Sequence, residues 1–464
     1  MLREVDHLVR VTVLLFALLF GGVLFWNLVE GANLARREDN PRRVLAELNI
    51  ERGTIYDRNG MRLAYSRPTS GRLGKARVYP DPAVVGLVGH YSYQYGQAGI
   101  EEGYDRLLRG AHLSDAWMDF ENALLHRATS GADLRITLDL AVQEALFAAL
   151  EGQSGAGVVA AVPSGEVLAM VSQPAYDPNQ VDADWNALQA EAEASPLLNR
   201  ALNGSYQPGG ALQTLLLSEM LARGAQLADQ GSVATFQLVQ PPLELTCALP
   251  PAGAGFLNLG QAYLAGCPAP FVMSIGESIS ATAMQEKLRA AGLTAPPEIT
   301  GIPLPSEAQI SLPPMTEQSS TRLLAEAAGQ GQLLVSPAQM VQIAAALINQ
   351  GRGVPLHVGL AYRNPGAMLG CHPPADRSPG LMQSSQAETL RTLLEGHSLA
   401  PDVALYGHLS QAFAGDRAYT WFVGWAQSAN GATAALAVIL AGVEPAQLIE
   451  RLVPVAEAFS TGQP

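Results

Sequence analysis

Residues 403–441 read VALYGHLSQAFAGDRAYTWFVGWAQSANGATAALAVILA and decide the fold of the chain. Three runs of aromatic, branched and small apolar residues, at 403–413, 419–427 and 433–441, are separated by short polar stretches. Asn430-Gly431 lies between the last two runs, and both residue types tolerate the positive φ angles of tight hairpin turns. The stretch therefore predicts three consecutive antiparallel strands.

Other segments supply partners for these strands. Residues 157–171 predict two more short strands joined at Pro163-Ser164-Gly165, which would complete a five-stranded, mainly antiparallel sheet. Residues 140–150, 385–395 and 446–459 carry apolar residues at helical spacing and are suited to cover a sheet. The sequence thus predicts an α+β domain.

A long apolar run lies near the N-terminus. Residues 11–29 contain no charged side chain, and the run is about as long as a helix needs to cross a hydrocarbon core of ~30 Å. We interpret it as a single membrane anchor, because it exceeds the usual signal-peptide core and no clear small-residue cleavage site follows it. Arg3 and Arg10 precede the run and four arginines follow it. By the positive-inside rule this distribution disfavours a C-terminal part outside the cytoplasm. Long domains, however, translocate largely regardless of local charge.

The composition excludes one class of function. With 464 residues, 48% of them hydrophobic, the chain is long enough for two or three domains with a sizeable core. Only 15% of the residues are charged and the formal net charge is -14, whereas nucleic-acid-binding proteins usually show basic patches. We therefore predict that the protein binds no nucleic acid.

A series of short motifs runs along the chain. The motifs are RGTIYDRNG at 52–60 and GIE at 99–101, followed by ITLD at 136–139, GEVLAMVS at 165–172 and NRA at 199–201. In this order they resemble the motifs of class B penicillin-binding proteins, the peptidoglycan D,D-transpeptidases of the elongation type. The resemblance implies the penicillin-binding transpeptidase fold, which serine β-lactamases share, with an N-terminal transmembrane helix and a small pedestal domain.

The resemblance also divides the chain. It implies a short cytoplasmic tail at 1–10, a transmembrane helix at 11–29, a pedestal of the dimerisation-domain type at 36–132 and a transpeptidase-like domain at 133–464. The expected location is the plasma membrane of a bacterium, single-pass, with the C-terminal domain outside the cytoplasm.

The family's nucleophile motif, S-x-x-K, falls where this chain reads YQPGGALQT at 206–214. Gly210 stands at the serine position and Gln213 at the lysine position. In the family motif the two residues are three apart on a helix, so that the lysine amine takes the serine proton before acyl transfer. Gly210 has no side chain and Gln213 is not a base near neutral pH, so the resemblance implies no catalytic residue here.

The family's other two motifs are replaced as well. S-x-N, which helps pass protons to the leaving group, corresponds to Gly266-Cys267-Pro268. K-T-G, which holds a substrate carboxylate on the edge strand, corresponds to His408-Leu409-Ser410. Because an ordinary histidine with a pKa of about 6.5 is mostly neutral at pH 7, His408 and Ser410 are candidates for ligand binding and not for catalysis.

A lysine count tests whether a shifted alignment restores the nucleophile motif. The two lysines of the chain are Lys75 and Lys287, and neither has a serine three residues before it. A dyad of Ser205 and His408 is an alternative, but it requires the two side chains within hydrogen-bond reach and a third group that orients the base.

The three cysteines allow few arrangements. An extracytoplasmic domain permits a disulfide between Cys247 and Cys267, with Cys371 left as a free thiol. Cys371 and His372 are adjacent, but two neighbouring ligands do not complete a tetrahedral zinc site. We expect neither a metal nor a cofactor.

Together these patterns predict a membrane-anchored pseudo-transpeptidase of the penicillin-binding type. By family analogy, its membrane helix and pedestal would contact a SEDS-family peptidoglycan glycosyltransferase, as a non-catalytic partner or regulator in cell-wall synthesis. Two alternatives stay open at this point. One is an active D,D-transpeptidase with displaced catalytic residues, and the other is a non-covalent sensor of peptidoglycan stem peptides or β-lactams.

Overall fold

The computed structural model describes residues 2–26, 50–68, 75–110, 130–192, 194–229, 235–239, 241–251, 257–275, 279–304, 320–364, 367–370, 378–400 and 402–462. The end of the predicted membrane helix at 27–29, the start of the predicted pedestal at 36–49 and the Cys371-His372 pair lie outside these residues.

The strands within this part of the chain are β1 (Ile55–Tyr56), β2 (Arg62–Pro68), β3 (Lys75–Val78), β4 (Tyr91–Ser92), β5 (Gly96–Gln97), β6 (Asp133–Ile136), β7 (Gly155–Val162), β8 (Val167–Gln173), β9 (Phe236–Leu238), β10 (Leu243–Leu245), β11 (Gly359–Asn364), β12 (Ala367–Gly370), β13 (Leu405–Ala414), β14 (Arg417–Gln427) and β15 (Thr433–Ala441).

The helices are α1 (Leu2–Phe25), α2 (Val85–Val88), α3 (Ile100–Gly103), α4 (Asp105–Leu108), α5 (Leu140–Leu150), α6 (Val181–Ala190), α7 (Arg200–Asn203), α8 (Gln213–Ala222), α9 (Leu259–Leu264), α10 (Ala269–Met273), α11 (Ala281–Ala290), α12 (Ser320–Ala327), α13 (Pro337–Ile348), α14 (Ser384–Glu395) and α15 (Pro445–Gly462). Short 3-10 turns precede α2 and α8, at Pro82–Val84 and Gly209–Leu212.

The predicted five-stranded sheet is confirmed. Its strands lie in the order β13-β14-β15-β7-β8 and every neighbouring pair is antiparallel. β13 is an edge strand, and its His408 lies opposite Val423 of β14.

This sheet separates two apolar cores, because successive side chains of a strand point to opposite faces. Trp421 and Trp425 of β14 belong to one core, and Phe422 between them belongs to the other. The first core is filled by α8, α13 and α14, and the second by α5 and α15. Helices were predicted at 140–150, 385–395 and 446–459, and α5, α14 and α15 confirm them.

A second sheet combines strands of the N-terminal part with β11 and β12 from later in the chain. Its strands lie in the order β12-β11-β6-β1-β2-β3. Asn59 and Gly60 lie in the tight turn that joins β1 to β2. Residues 66–75 also have the polar, glycine-containing composition of a loop, but residues 66–68 and Lys75 are paired strand residues of β2 and β3. Because β6 pairs with β1 and β11 pairs with β6, the sheet crosses the predicted domain boundary at Asp133.

One helix in the described ranges is long and apolar enough to cross a membrane. It covers His7–Phe25, which is 19 residues with a mean hydropathy of 2.4, and none of its side chains is buried against the rest of the protein. This helix supports the single membrane anchor predicted for the N-terminus.

Candidate functional site

The segment at the predicted nucleophile position is buried and tightly turned. Pro208 precedes the 3-10 turn Gly209–Leu212, after which α8 begins at Gln213. Gly210 and Gln213 are buried, and the following leucines of α8 fill the first core. The buried helix that follows Gly210 therefore fixes the segment beside β13.

The structure brings four of the predicted positions together. A Cβ atom added to Gly210 would lie 2.7 Å from Gln213 Nε2 and 2.8 Å from Ser410 Cβ, and His408 Nε2 is 3.1 Å from the Gly210 carbonyl oxygen. His408 and Ser410 share a face because they are two residues apart on a strand, while Leu409 between them packs into the second core. The two residues proposed for ligand binding are thus adjacent to both degenerate positions of the nucleophile motif.

His408 is held as a neutral side chain. It is 1% exposed, and its ring stacks on that of Tyr263 with centroids 4.4 Å apart and planes 1° apart. Burial lowers the pKa of His408 to about 4, although the hydrogen bond with the Gly210 carbonyl acts in the opposite direction. His408 therefore offers no cation at neutral pH to replace the lysine of the family motif.

Several polar atoms in this cluster are buried without a hydrogen-bond partner among the described residues. They are both amide atoms of Gln213, the hydroxyl of Ser410 and Nδ1 of His408. Each such atom typically costs about 1–3 kcal/mol of stability. The cluster is thus a polar site enclosed by the protein, with no side chain at Gly210 and no lysine at Gln213.

The outer edge of β13 is covered by the protein itself. The Gln330 side-chain amide, oriented to satisfy both groups, donates to the Phe413 carbonyl at 2.9 Å and accepts from the Phe413 amide at 3.2 Å. The backbone groups of Phe413 therefore face outward, as do those of Gln411 and Leu409, which are two and four residues away.

Two glycines cover the next two outward carbonyls, those of Gln411 and Leu409. A Cβ added to Gly209 would lie 2.2 Å from the Gln411 oxygen, and one added to Gly266 would lie 2.3 Å from the Leu409 oxygen. Both glycines have positive φ angles, 51° and 63°. Only a residue without a side chain approaches a strand so closely. The cleft between the edge of β13 and the segments at Gly209 and Gly266 is therefore closed.

The second degenerate motif forms the corner between α9 and α10. Gly266 lies against β13 as described, Cys267 is fully buried, and Pro268 precedes the first turn of α10. Cys267 forms a disulfide with Cys247, which is the pairing that the sequence allowed.

The alternative dyad is not formed in the described structure. Ser205 is exposed, whereas His408 is buried with Nε2 against Gly210 and Nδ1 without a partner. The two side chains therefore do not meet. Tyr263 and Gln330, which shape the closed cleft, were not selected as site residues from the sequence, because both act through contacts with residues more than 80 positions away.

The buried state of His408 predicts a pH dependence of stability. Since the pKa falls from 6.5 to about 4 on folding, the unfolded chain binds a proton first as the pH falls. Titration of His408 therefore leaves the free energy of unfolding unchanged above pH 6.5. As the pH drops to about 4, it lowers that free energy by roughly 3 kcal/mol. Urea unfolding of the detergent-solubilised full chain at several pH values measures this decline.

A His408→Gln variant is expected to lose this contribution to the slope between pH 4 and pH 6.5. The matched control is His397→Gln, since His397 is exposed and its replacement should leave the slope unchanged. Equal slopes for the wild type and the His408 variant would contradict the neutral, buried histidine.

Comparisons with known proteins agree with this geometry. Residues 155–452 match the penicillin binding protein transpeptidase domain, and residues 52–134 match the penicillin binding protein A dimerisation domain. The chain therefore belongs to the penicillin-binding protein transpeptidase family, as a class B member with a dimerisation domain.

Among its relatives, the peptidoglycan D,D-transpeptidase PbpA of Mycobacterium tuberculosis is 31% identical over 328 residues, covering 67% of this chain and 65% of the relative. PbpA of Mycolicibacterium smegmatis is 32% identical over 334 residues, with the same shares. The chain thus spans 65% of the length of these curated relatives.

Solved structures share the fold over a larger part of the chain. The imipenem acyl-enzyme complex of penicillin-binding protein A from M. tuberculosis superimposes with a TM-score of 0.75 at 26% identity, covering 89% of this chain and 99% of that chain. The D,D-transpeptidase domain of a peptidoglycan glycosyltransferase from Eggerthella lenta gives a TM-score of 0.73 at 22% identity, covering 89% and 98%. The predicted penicillin-binding transpeptidase fold is therefore confirmed.

Proposed function

We propose that this protein is a non-catalytic, membrane-anchored member of the penicillin-binding family that acts in cell-wall synthesis by binding. The observation that carries the proposal is the position of Gly210. It occupies the place of the nucleophile and is flanked by Gln213 and Ser410 so closely that an added Cβ would clash with both. A side-chain nucleophile is therefore absent at this position, and neighbouring side chains occupy the space for one.

The closed edge of β13 supports the same proposal. Three alternate residues of the strand, Leu409, Gln411 and Phe413, have their outward backbone groups covered. The residues that contact them are Gly266, Gly209 and Gln330, respectively. An extended substrate peptide that adds to a strand edge needs those groups. With the Cys247–Cys267 disulfide formed and the edge of β13 covered, the protein lacks the family's residues for acyl transfer. It also lacks the open strand edge that a stem-peptide sensor needs.

The pedestal contains a polar centre whose charged groups cost free energy to remove from water. Glu101, fully buried, forms ion pairs with Arg52 at 2.6 Å and with Arg77 at 2.7 Å, and Arg52 also reaches Asp105 at 2.7 Å. Buried ion pairs are maintained only when every partner is in place. A pedestal with this degree of internal order is suited to present a defined surface to a partner.

The partner that we propose is a SEDS-family peptidoglycan glycosyltransferase, contacted through α1 and the pedestal. Support comes from the apolar helix at His7–Phe25, whose side chains are unburied in the protein alone, and from the match of residues 52–134 to a dimerisation domain. The proposed orientation places the transpeptidase-like domain outside the cytoplasm, where the Cys247–Cys267 disulfide is stable.

Cross-linking in membranes, followed by purification of the tagged full chain, is expected to recover such a glycosyltransferase. The matched control replaces residues 11–25 with an unrelated apolar sequence of the same length, which keeps the anchor and changes the surface of the helix. We expect recovery to fall several-fold in this control. Repeated failure to recover a glycosyltransferase with the natural chain would overturn the proposed partnership.

A further inference from the structure

The Cys247–Cys267 disulfide fastens a short strap to the corner between α9 and α10. The strap is defined as residues 247–249, which follow β10 and run beside the corner at 265–267. Its backbone bonds to the corner are Leu249 N–H to the Ala265 carbonyl at 2.9 Å and Ala248 N–H to the Gly266 carbonyl at 3.4 Å. The disulfide is the covalent attachment between the strap and the corner.

The corner contacts both the strap and the edge strand. A Cβ added to Gly266 would lie 2.3 Å from the Leu409 oxygen of β13 and 3.0 Å from the Ala248 Cβ. The strap therefore packs against the same residue that covers the Leu409 carbonyl. The strap thus controls one of the three contacts that close the edge of β13.

The two sulfur atoms differ in their access to solvent. Cys267 is fully buried, whereas Cys247 and the other residues of the strap are partly exposed. Thiol–disulfide exchange requires a thiolate to reach one sulfur of the bond. An external thiol therefore reaches the disulfide from the side of Cys247.

We propose that this disulfide is a redox-sensitive lock on the closed cleft, opened by a dithiol reductant. The thiolate of the reductant attacks Cys247 Sγ, forms a mixed disulfide there and expels the Cys267 thiolate, which takes up a proton. The second thiol of the reductant then releases Cys247 and closes the disulfide of the reductant. The lock regulates the cleft and goes beyond the proposed partnership, on which it does not depend.

The geometry predicts that opening is local. The contacts of Gly209 with Gln411 and of Gln330 with Phe413 do not involve the strap. Reduction should therefore loosen the corner and the neighbouring backbone of Leu409, while the other end of β13 keeps its cover.

Hydrogen exchange read by mass spectrometry tests this proposal on the detergent-solubilised full chain, with and without dithiothreitol. We expect exchange of amides at 257–268 and at Leu409 to accelerate roughly ten- to a hundred-fold on reduction, since the disulfide closes a loop of about 20 residues. Exchange at 209–214 and 411–414 should stay within about two-fold.

The experiment is carried out on Cys371→Ser protein, so that thiol labelling counts only the two cysteines of the lock. A Cys247→Ala/Cys267→Ala variant is expected to show the fast exchange already without reductant, and no further change with it. Unchanged exchange in protein whose two thiols are labelled would overturn the lock, as would resistance of the folded protein to the dithiol.

Fluorescent penicillin added to the same samples separates this result from the proposed function. Because Gly210 supplies no nucleophile, no covalent label is expected in either redox state. A label that appears only after reduction would support the lock and overturn the non-catalytic assignment.

Discussion

A Glu101→Gln variant is expected to lose about 3 kcal/mol of its free energy of unfolding, because Arg52 and Arg77 then remain buried beside a neutral amide. Both arginines are nearly inaccessible to water, at 5% and 4% exposure of their side chains. Chemical unfolding of the full chain in detergent measures the loss.

The matched control for this variant is Glu388→Gln on α14. Glu388 also pairs with an arginine, Arg391, at 3.0 Å, but its side chain is 62% exposed. Exposed pairs contribute little, so this replacement should cost less than about 1 kcal/mol. Similar losses for the two variants would contradict the structural role assigned to the polar centre of the pedestal.

The same centre adds an acid limit to stability. Burial alone would raise the pKa of Glu101, but the ion pairs with Arg77 and Arg52 outweigh it and hold the pKa below the ordinary value of 4.5. The stabilisation of the fold by ionised Glu101 is therefore complete above pH 4.5. It is lost as the pH falls through the lowered pKa of Glu101. It adds to the loss expected from His408 at somewhat higher pH.

A Gly209→Ala variant is expected to lose at least about 3 kcal/mol of stability, as the sum of two effects. Its φ angle of 51° is unfavourable for alanine, and the added Cβ would lie 2.2 Å from the Gln411 oxygen and 2.7 Å from the Ala412 Cα. Both neighbours are backbone atoms of β13, so neither yields without moving the strand.

Gly415→Ala isolates the first effect, the unfavourable φ angle. Gly415 has a similar φ angle of 60°, but no atom lies within 4 Å of an added Cβ. Its replacement should cost only about 1–2 kcal/mol, which is the conformational term alone. The difference between the two variants in urea unfolding measures how tightly the cleft is closed, and equal losses would contradict the closed edge of β13.

The sequence predicted those parts of the fold that depend on local pattern. The five strands of the central sheet follow from apolar runs bounded by turn residues, such as Asn430-Gly431 and Pro163-Ser164-Gly165. The covering helices follow from apolar residues at helical spacing. The pairing of β11 with β6 was not predicted, since it joins Tyr362 to Leu134 across more than 200 residues and neither strand has a distinctive local signal.

The family motif positions could be assigned from the sequence, but the way they pack could not. The motif positions Gly210, Gln213, His408 and Ser410 are adjacent in space, as the resemblance implied. The closure of the cleft depends on glycines that approach β13 and on the Gln330 amide, which are tertiary contacts that no spacing in the sequence encodes. The disulfide was one option among the cysteines, and the packing of the strap against the corner decides it.

Labelling with a fluorescent penicillin tests the non-catalytic assignment most directly. The full chain, in detergent and in membranes, is incubated with the label beside a penicillin-binding transpeptidase that retains S-x-x-K, and both are separated on a denaturing gel. We predict a labelled band for the control protein and none for this chain, because Gly210 has no atom that can form an acyl bond. A labelled band of this chain that survives denaturation would contradict the account.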